Sequence, residues 1–362
     1  MVERVLMTTD CVGGVFTYAT TLARELALRG VRVHLATMGP AMRPEQRAAL
    51  AAIPGVVVHE STFALEWMDR PWDDVARAGD WLRGIAREVS PDVVHLNGYA
   101  HATAGFRAPV VVAAHSCVLT WWRAVELEDA PSRYRRYRRA VARALSEAPA
   151  VIAISRSFLE ALERSYGRVK NATVVYDGLP IAPIEEIAKE PFVLSAGRVW
   201  DKAKNVGAIA RVAPRLRWPV RVAGWEAEEC ANVAALGVLS RPALHREMAR
   251  AAIFALPAKY EPFGLCPLEA AMHACALVLG DIDTLREIWG AAAMYVPPHD
   301  DDALARAIDV LAGDPALRAD LGIRARQRAE RYSAARMAEL TLDVYARVLQ
   351  RTRSKGGERQ CA

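Results

Sequence analysis

The stretch VERVLMTTDCVGGVFTYATTLARELALRGVRVHLAT, residues 2–37, decides the fold class of this chain of 362 residues. Residues 2–8 alternate as a β-strand does, and residues 15–29 repeat apolar side chains with the period of an α-helix. Gly30 closes the helix, and residues 31–37 form a second β-branched run. Because two parallel strands joined by a helix require a right-handed crossover, the stretch predicts a strand–helix–strand unit of an α/β fold.

The same alternation continues on both sides of a proline-punctuated, charged segment at residues 180–191. We predict further strands, separated by helices, at residues 56–59, 93–96, 110–114 and 151–154 before that segment, and at 192–196, 220–223, 252–256 and 277–279 after it. The chain is therefore expected to form two Rossmann-like α/β domains, residues 1–180 and 181–333. Residues 334–350 are predicted to form a last helix, and 351–362 a polar tail.

The composition limits the class of protein. Hydrophobic residues make up 52% and charged residues 25% of the chain, as in globular proteins, and no apolar run approaches the roughly 20 residues that span a bilayer. The six cysteines show neither a CxxC pair nor the spacing of a disulfide framework or zinc site, so a reducing cytoplasm is the expected compartment. A net charge of +5 favours anionic small molecules or a membrane surface as partners, and no nucleic-acid-binding motif accompanies it.

The segment YEPFGLCPLE, residues 260–269, carries the main chemical signal. It follows a predicted strand and leads into a helix, and Pro262 and Gly264 keep the backbone between the two irregular. Backbone N–H groups near Phe263, Gly264 and Leu265 are therefore expected to face an anion, to which the start of the helix adds its positive end. Phosphate is the anion that such a turn favours.

Two carboxylates, Glu261 and Glu269, flank this turn with seven residues between them. Glu269, on the first helical turn, can accept hydrogen bonds from the vicinal hydroxyls of a ribose, while Glu261 reaches the sugar side of the same ligand. Taken singly, each acid is better explained as a strand-end residue or as a helix N-terminal residue favoured by the dipole. The combination is what indicates a binding site.

This segment resembles the EX7E signature of the retaining GT-B glycosyltransferases of family 4 (group 1), and the resemblance covers most of the chain. Further features similar to that family follow in the expected order: Gly13-Gly14, His115, Ser195-Ala196-Gly197-Arg198 with Lys204, residues 236–240, residues 251–257 and Tyr295-Val296-Pro297-Pro298. The resemblance implies a GT-B fold, in which two Rossmann-like domains have parallel sheets facing across a cleft. It implies that residues 1–180 bind the acceptor, that residues 181–333 bind the donor, and that the helix at 334–350 packs back on the first domain.

The resemblance also implies a reaction, the transfer of a hexose-type sugar from a nucleotide-diphosphate donor, of UDP or GDP type, to a hydroxyl acceptor with retained configuration. Arg198 and Lys204 would stabilise the leaving diphosphate, the alternative for either being a solvated surface position. His115, at a predicted strand end, would contact the transferred sugar, the alternative being a bond to a nearby loop. With Glu261 these are the candidate catalytic residues. Because cationic side chains and the positive end of a helix can take the place of a divalent ion, we expect no metal requirement, and we expect no separate cofactor.

Other candidate residues lie on loops of the first half. Gly14 lets the backbone approach the donor phosphate or an acceptor closely, the alternative being a tight strand-to-helix turn. Asp10 and Asn97 are candidates for the acceptor side, although polar loop residues need no such role. Trp121 and Trp122 can stack on an acceptor ring, and core packing explains them at least as well.

Residues 133–139 contain five arginines, with Tyr134 and Tyr137 spaced to share one helix face. Such a cluster favours an anionic acceptor or lipid headgroups, and a solvated helix face is the more common explanation. Peripheral contact with the inner face of a membrane is therefore kept as an alternative to a purely cytoplasmic location.

Three residues depart from the family's pattern. Asn205 follows the lysine where glycine is common, and Ala274 and Ala276 replace a frequent glycine and proline beyond the acidic segment. These departures put the shape of two loops in question, and they leave the charged residues intact.

Other functions use the same fold. A sugar-nucleotide epimerase would isomerise the donor without an acceptor, a glycogen-type phosphorylase would need a lysine-bound pyridoxal phosphate, and a non-catalytic binder would keep the cleft without turnover. The complete set of Arg198, Lys204, Glu261 and Glu269 argues against the binder. A glycosyltransferase is therefore the predicted function.

Overall fold

A computed structural model describes residues 2–181, 187–224 and 230–360, the side chains of 353 and 355–360 excepted. Part of the predicted boundary segment, residues 182–186, lies outside the described residues, as does the end of the predicted tail at 361–362.

The chain divides into two compact units. The N-terminal unit comprises Met1–Thr120, Asp129–Pro180 and Ala334–Ala362, and the C-terminal unit comprises Trp121–Glu128 and Ile181–Ser333. The position of Trp121–Glu128 in the sequence predicts the first domain, but its side chains bond within the second unit. Trp121 Nε1 donates to Asp201 Oδ1 (3.4 Å), and Lys202 Nζ donates to Glu126 Oε1 (2.9 Å).

A sheet of seven parallel strands forms the centre of the N-terminal unit. In chain order the strands are β1 (Arg4–Asp10), β2 (Arg32–Met38), β3 (Val56–Glu60), β4 (Val93–Leu96), β5 (Val110–Ala114), β6 (Ala150–Ala153) and β7 (Ala172–Val174), arranged as β3-β2-β1-β4-β5-β6-β7. Between them lie α1 (Gly14–Leu28), α2 (Pro44–Ala51), α3 (Trp72–Val89), α4 (Val118–Val125), α5 (Arg135–Glu147) and α6 (Arg156–Tyr166). β4, β5 and β6 are buried along their whole length, as continuous apolar runs predict for a parallel sheet covered on both faces.

A sheet of six parallel strands forms the centre of the C-terminal unit. The strands are β8 (Glu190–Ala196), β9 (Val220–Ala223), β10 (Val233–Ala235), β11 (Ala251–Leu256), β12 (Ala276–Gly280) and β13 (Met294–Val296), arranged as β10-β9-β8-β11-β12-β13. The helices are α7 (Val206–Val212), α8 (Arg241–Arg250), α9 (Leu265–Met272), α10 (Asp283–Trp289), α11 (Asp301–Gly313) and α12 (Pro315–Ala329). The two parallel sheets confirm the predicted α/β class, and the adjacency of β8 and β11 brings the loops after them to one edge.

The last helix, α13 (Ala334–Gln360), completes the N-terminal unit. It contributes Met337, Ala338, Val344, Tyr345 and Val348 to the buried core that contains side chains of β1, β2 and α1. The hydroxyl of Tyr345 lies 2.8 Å from Nδ1 of His95 in β4, so the end of the chain bonds to the middle of the sheet. The helix runs past residue 350, where the sequence predicts a polar tail.

The two positions at which glycine is common in the family take the left-handed backbone conformation. Asn205 has φ +53°, and its amide Nδ2 donates to the carbonyl oxygens of Pro257 (2.9 Å) and Pro298 (2.7 Å). Asparagine tolerates this conformation, and these two bonds tie three loops together. Ala274 has φ +54° at the end of α9, where glycine usually terminates a helix and alanine is strained.

We predict that Ala274→Gly stabilises the protein. Relief of the left-handed strain, about 1–2 kcal/mol, exceeds the added chain entropy of glycine, about 0.5–1 kcal/mol. The expected gain in the free energy of unfolding is therefore roughly 0.5–1 kcal/mol, measured by urea denaturation.

The matched control is Ala319→Gly, at an exposed position inside α12. That substitution should destabilise the protein by about 1 kcal/mol, because glycine is a poor helix former. A loss of stability in Ala274→Gly as well would contradict the strain at Ala274.

Candidate active site

The loop after β8 carries the two predicted cations. It leaves the carboxyl end of a central strand, the edge at which open parallel sheets bind ligands. The backbone N–H of Asp201 donates to the carbonyl oxygen of Arg198 (3.0 Å), and that of Lys204 donates to the carbonyl oxygen of Asp201 (2.9 Å). Two consecutive turns thus hold Arg198 and Lys204 in place. We call residues 198–204 the basic loop.

Lys204 and Glu261 form an ion pair, with 2.5 Å between Nζ and Oε2. Both side chains are largely buried. They come from different loops and meet because β8 and β11 are neighbours in the sheet. The structure therefore brings together two predicted catalytic residues, one from the basic loop and one from the acidic segment.

Arg198 pairs with Asp201 inside the basic loop, where Nη2 lies 2.8 Å from Oδ2. Asp201 Oδ1 accepts from the backbone N–H of Ala203 (3.0 Å) and from Trp121 Nε1 (3.4 Å). Burial opposes ionisation of Asp201, but the hydrogen bond and charge of Arg198, with the charge of Lys204, hold its pKa below the ordinary value. Sequence reasoning misses Asp201, although an acid between two bases in a strand-end loop is a readable signal.

Trp200, which the sequence interpretation also misses, covers the side chain of Arg198. The guanidinium carbon lies 5.1 Å from the centre of the Trp200 ring, and this tryptophan is 69% exposed. Arg198 Nε is buried and has no hydrogen-bond partner among the described atoms. Since a buried donor without an acceptor costs about 1–3 kcal/mol, an anion at this nitrogen would remove that cost.

The acidic segment turns sharply before α9. Gly264 has φ +100°, and a Cβ there would lie 3.3 Å from Cγ of Glu261, so glycine allows Glu261 to sit beside the helix start. Phe263 is buried, and Leu265 is the first residue of α9. The thiol of Cys266 lies 3.7 Å from the last carbonyl oxygen of β8, so the first turn of α9 adjoins the start of the basic loop.

Glu269, the second carboxylate of the segment, is held from a different direction. Its Oε1 accepts a hydrogen bond from Arg241 Nε (2.9 Å) and lies 3.3 Å from His245 Nε2. Both partners belong to α8, and sequence reasoning misses both. The two acids of the segment therefore have separate cationic partners, Lys204 for one and Arg241 for the other.

Two predicted residues of the N-terminal unit, His115 and Asn97, meet at neighbouring strand ends. His115 Nε2 lies 2.8 Å from Asn97 Oδ1, and Asn97 Nδ2 donates to the carbonyl oxygen of Thr8 (2.7 Å). The ring of Tyr18 packs edge to face on His115, with 4.3 Å between ring centres. Burial, and secondarily the neighbouring His95, lowers the pKa of His115 to about 3, so the imidazole is neutral near neutral pH.

The remaining predicted residues have structural partners of their own. Asp10 Oδ1 accepts from the backbone N–H of Val12 (2.9 Å), in the turn that leads to Gly14, the first residue of α1. Trp121 and Trp122 contact each other edge to face, with 5.8 Å between ring centres. The structure gives Asp10 a turn-forming contact and groups the two tryptophans with the basic loop.

Two features are absent from the part of the chain that the structure describes. No three His, Cys, Asp or Glu side chains in that part converge as metal ligands would. In the same ranges no helix has the length and apolar character needed to cross a membrane.

A strongly basic surface covers the start of α5 and the short 3-10 turn, Ser132–Tyr134, before it. Its exposed side chains, which we call the basic face, are Arg133, Arg135, Arg136, Arg138 and Arg139. The guanidinium of Arg136 lies over the ring of Trp72 (4.7 Å), and that of Arg133 lies over the ring of Tyr134 (5.0 Å). Tyr137 is buried, so it does not share the exposed face with Tyr134.

We predict that His115 makes the protein less stable in acid. The unfolded chain protonates this residue near its ordinary pKa of 6.5, whereas the folded imidazole stays neutral down to about 3. The unfolded state binds more protons across that window, so stability is highest above the window and falls as the pH drops. The expected contribution is about 1.4 kcal/mol per pH unit, measured by urea denaturation at a series of pH values.

His115→Gln keeps an amide donor for Asn97 and does not titrate, so its stability should decline less steeply than that of the wild type. His299→Gln, at an exposed histidine, should decline as the wild type does. An unchanged slope in His115→Gln would rule out a neutral, buried His115.

Both halves of the chain match glycosyltransferase families. Residues 12–182 match Glycosyltransferase Family 4, and residues 190–314 match Glycosyl transferases group 1. The alpha-maltose-1-phosphate synthase of Mycobacterium tuberculosis (strain CDC 1551 / Oshkosh) is 36% identical over 114 residues, which are 29% of this chain and 30% of that protein. The D-inositol 3-phosphate glycosyltransferase of Xylanimonas cellulosilytica is 26% identical over 396 residues, covering 95% of this chain and 94% of that protein.

Solved structures share the fold of this chain. Sucrose-phosphate synthase from Thermosynechococcus elongatus superposes with a TM-score of 0.80 at 16% identity, covering 96% of this chain and 99% of that one. Alr3699/HepE of Anabaena, in complex with UDP and glucose, superposes with a TM-score of 0.73 at 15% identity, covering 95% of this chain and 99% of that one. At these identities the likeness shows the fold.

Proposed function

Because this chain belongs to the GT-B glycosyltransferases of family 4 and group 1, we propose that it moves a hexose-type sugar from a nucleotide-diphosphate donor to a hydroxyl acceptor with retained configuration. The observation that carries the proposal is the ion pair between Lys204 and Glu261 beside the first turn of α9. This contact places a cation, a carboxylate and a helix start at one edge of a parallel sheet, the set that a sugar diphosphate requires.

In this proposal the cations of the basic loop act through N–H groups held in fixed directions, because the cluster to which they belong has no net positive charge. Arg198, Lys204, Asp201 and Glu261 together carry two positive and two negative charges. Each cation keeps further N–H groups beyond the one it gives to its carboxylate, and Arg198 Nε is one of them. The carboxylates fix the cations in advance, so the spare donors can stabilise the diphosphate as it leaves without reorganisation.

The other residues of the site take complementary roles in the proposal. The backbone at Phe263, Gly264 and Leu265, with the start of α9, faces the phosphates. Glu269 accepts from the ribose hydroxyls, and Glu261 faces the transferred sugar. Arg198, Lys204 and the helix start take the place of a divalent ion, so no metal is required.

Retention follows if the acceptor hydroxyl attacks the face from which the diphosphate departs and a departing phosphate oxygen takes its proton. His115 then contacts the transferred sugar as a neutral hydrogen-bonding group. A histidine whose pKa is about 3 is too weak a base to remove the acceptor proton near neutral pH. On the acceptor side we place Asp10, Asn97, Trp121 and Trp122, with Gly14 admitting close approach of the backbone.

We predict that Lys204→Ala lowers sugar transfer by about a hundredfold, or about 2.7 kcal/mol of barrier. The loss has two causes, since the leaving diphosphate loses a donor and Glu261 is left without its partner. The measurement is the release of nucleoside diphosphate from a panel of nucleotide sugars, with hydroxyl acceptors present. Lys170→Ala removes an exposed lysine of the N-terminal unit and should leave the rate unchanged.

The same assay decides the other components of the proposal. NMR of the product should show the anomeric configuration of the donor, and an inverted linkage would contradict the same-face reaction while leaving the family intact. Isomerised donor without acceptor would favour the epimerase. Unchanged transfer by Lys204→Ala would remove the assigned role of Lys204.

We further propose that the basic face of α5 rests on an anionic membrane surface at the inner face of a membrane. Five exposed arginines on one short stretch produce a local positive field, and Trp72 and Tyr134 beneath two of them are rings that suit the interfacial region. The enzyme would then work as a peripheral protein in the cytoplasm.

Replacement of Arg135, Arg138 and Arg139 by alanine should weaken binding to phosphatidylglycerol vesicles about a hundredfold, since each basic residue near such a surface contributes about 1 kcal/mol. Co-sedimentation with vesicles measures the effect, and phosphatidylcholine vesicles should not bind.

The matched control removes the same charge from Arg24, Arg107 and Arg168, which are exposed elsewhere on the N-terminal unit. Equal losses in the two variants would indicate non-specific attraction. Failure of the wild type to bind would leave the basic face as solvated surface.

A further inference from the structure

The first turn of α8 carries an arginine that no step of the proposed reaction uses. Arg241 follows Ser240, whose hydroxyl caps the helix by accepting from the backbone N–H of Ala243 (3.4 Å). The side chain of Arg241 crosses to α9 and donates from Nε to Glu269 Oε1 (2.9 Å). His245, one turn later on α8, reaches the same oxygen at 3.3 Å.

This pairing leaves hydrogen-bonding groups of both partners unused. A guanidinium has five N–H donors, and only the Nε of Arg241 has an acceptor among the described residues. Both partners of Glu269 in the described chain lie on Oε1, which leaves Oε2 beside them as an acceptor. The side chain of Arg241 is 45% exposed while that of Glu269 is largely buried. The largely buried carboxylate of Glu269 and the half-exposed guanidinium of Arg241 therefore lie side by side, and each keeps a group that can bond to a ligand.

We propose that Arg241 selects the base of the donor by hydrogen bonding to a carbonyl oxygen, as uracil and guanine offer, and so disfavours adenine. The inference rests on the proposed function, in which Glu269 holds the ribose hydroxyls. The base is attached to the carbon next to the one that bears the 2′ hydroxyl. A guanidinium bonded to the carboxylate that grips this hydroxyl therefore lies on the ribose side of the base, and we infer that its free Nη groups reach the edge of the base.

The chemistry of the guanidinium decides which base it accepts. It has donors and no acceptor, so it pairs with the keto oxygens of uracil or with O6 and N7 of guanine. Adenine carries an exocyclic amino group in the place of that carbonyl, and its N–H groups would face those of Arg241. The amino group of adenine and the guanidinium would then both lack an acceptor, which costs binding free energy, whereas a carbonyl oxygen accepts from the guanidinium and avoids that cost.

The loop before α8 supplies an apolar surface for the flat face of the base. Val238 is 62% exposed, three residues before Arg241, in the loop that follows β10. The carbonyl oxygen of Gly237 accepts from the backbone N–H of Gly224 (2.7 Å), which fixes this loop at the carboxyl end of β9. An exposed valine and a projecting guanidinium at one sheet edge suit the face and the edge of one aromatic ring.

Two roles of Arg241 can be separated by experiment. If Arg241 only positions Glu269, its loss weakens every nucleotide alike, because the ribose is common to all. If Arg241 reads the base, the loss falls on the nucleotides that carry a carbonyl. His245 provides the matched control, since it contacts the same oxygen of Glu269 and its ring packs on His273 at 5.2 Å.

The test is calorimetric titration of the full chain with UDP, GDP and ADP. We expect UDP or GDP to bind at least about tenfold more tightly than ADP, the ratio that one hydrogen bond to a charged donor supplies. Arg241→Ala should remove most of that preference, because it should weaken the binding of UDP or GDP strongly and the binding of ADP much less. His245→Gln should leave the preference unchanged. Arg241→Lys keeps the charge without the forked donors, and it should restore only part of the preference.

The outcomes that overturn the inference differ from those that overturn the function. Tighter binding of ADP by the wild type, or an equal loss for all three nucleotides in Arg241→Ala, would reduce Arg241 to a positioning residue of Glu269. Failure of all three nucleotides to bind the wild type would instead overturn the proposed donor site. Circular dichroism of each variant shows whether the fold is kept.

Discussion

The ion pair between Lys204 and Glu261 is the contact on which the candidate site of the C-terminal unit depends. It exists because two neighbouring parallel strands, β8 and β11, release their loops at one edge, and because Gly264 permits the turn that seats Glu261 there. The pair adds no net charge. It instead holds an ammonium group in one orientation, and a polar group that is already oriented stabilises developing charge better than a mobile one.

The sequence predicts the fold and names both members of this pair, but it does not predict that they pair. Buried parallel strands are continuous apolar runs, and residues directly after such strands collect at one edge of the sheet, so Glu261 and His115 stand out by position, whereas Lys204 is singled out by the resemblance to the family. The contact between Arg241 and Glu269 depends on side-chain rotamers across two helices, which no local pattern encodes. The bond between Trp121 and Asp201 lies within the C-terminal unit, although Trp121 stands among residues that the order of the chain assigns to the first domain.

The charge state of the N-terminal site is a second property that local pattern does not encode. His115 is neutral because it is buried, and the ring of Tyr18 on α1 is one of the side chains packed against it. His95 is held in turn by Tyr345 of α13, from the far end of the chain. The positions that depart from the family are easier to interpret, since Asn205 and Ala274 keep the left-handed backbone that glycine would otherwise supply.

The chain passes between its two units four times, so neither unit is a continuous piece. A single cut near residue 181 would leave the first piece without α13, whose Tyr345 fills its core, and the second without the segment whose Trp121 bonds to the basic loop. Exchange of whole units between related genes could combine two binding regions in a new way. In this chain such an exchange requires compatible junctions at every crossing, which favours divergence by substitution within an intact gene.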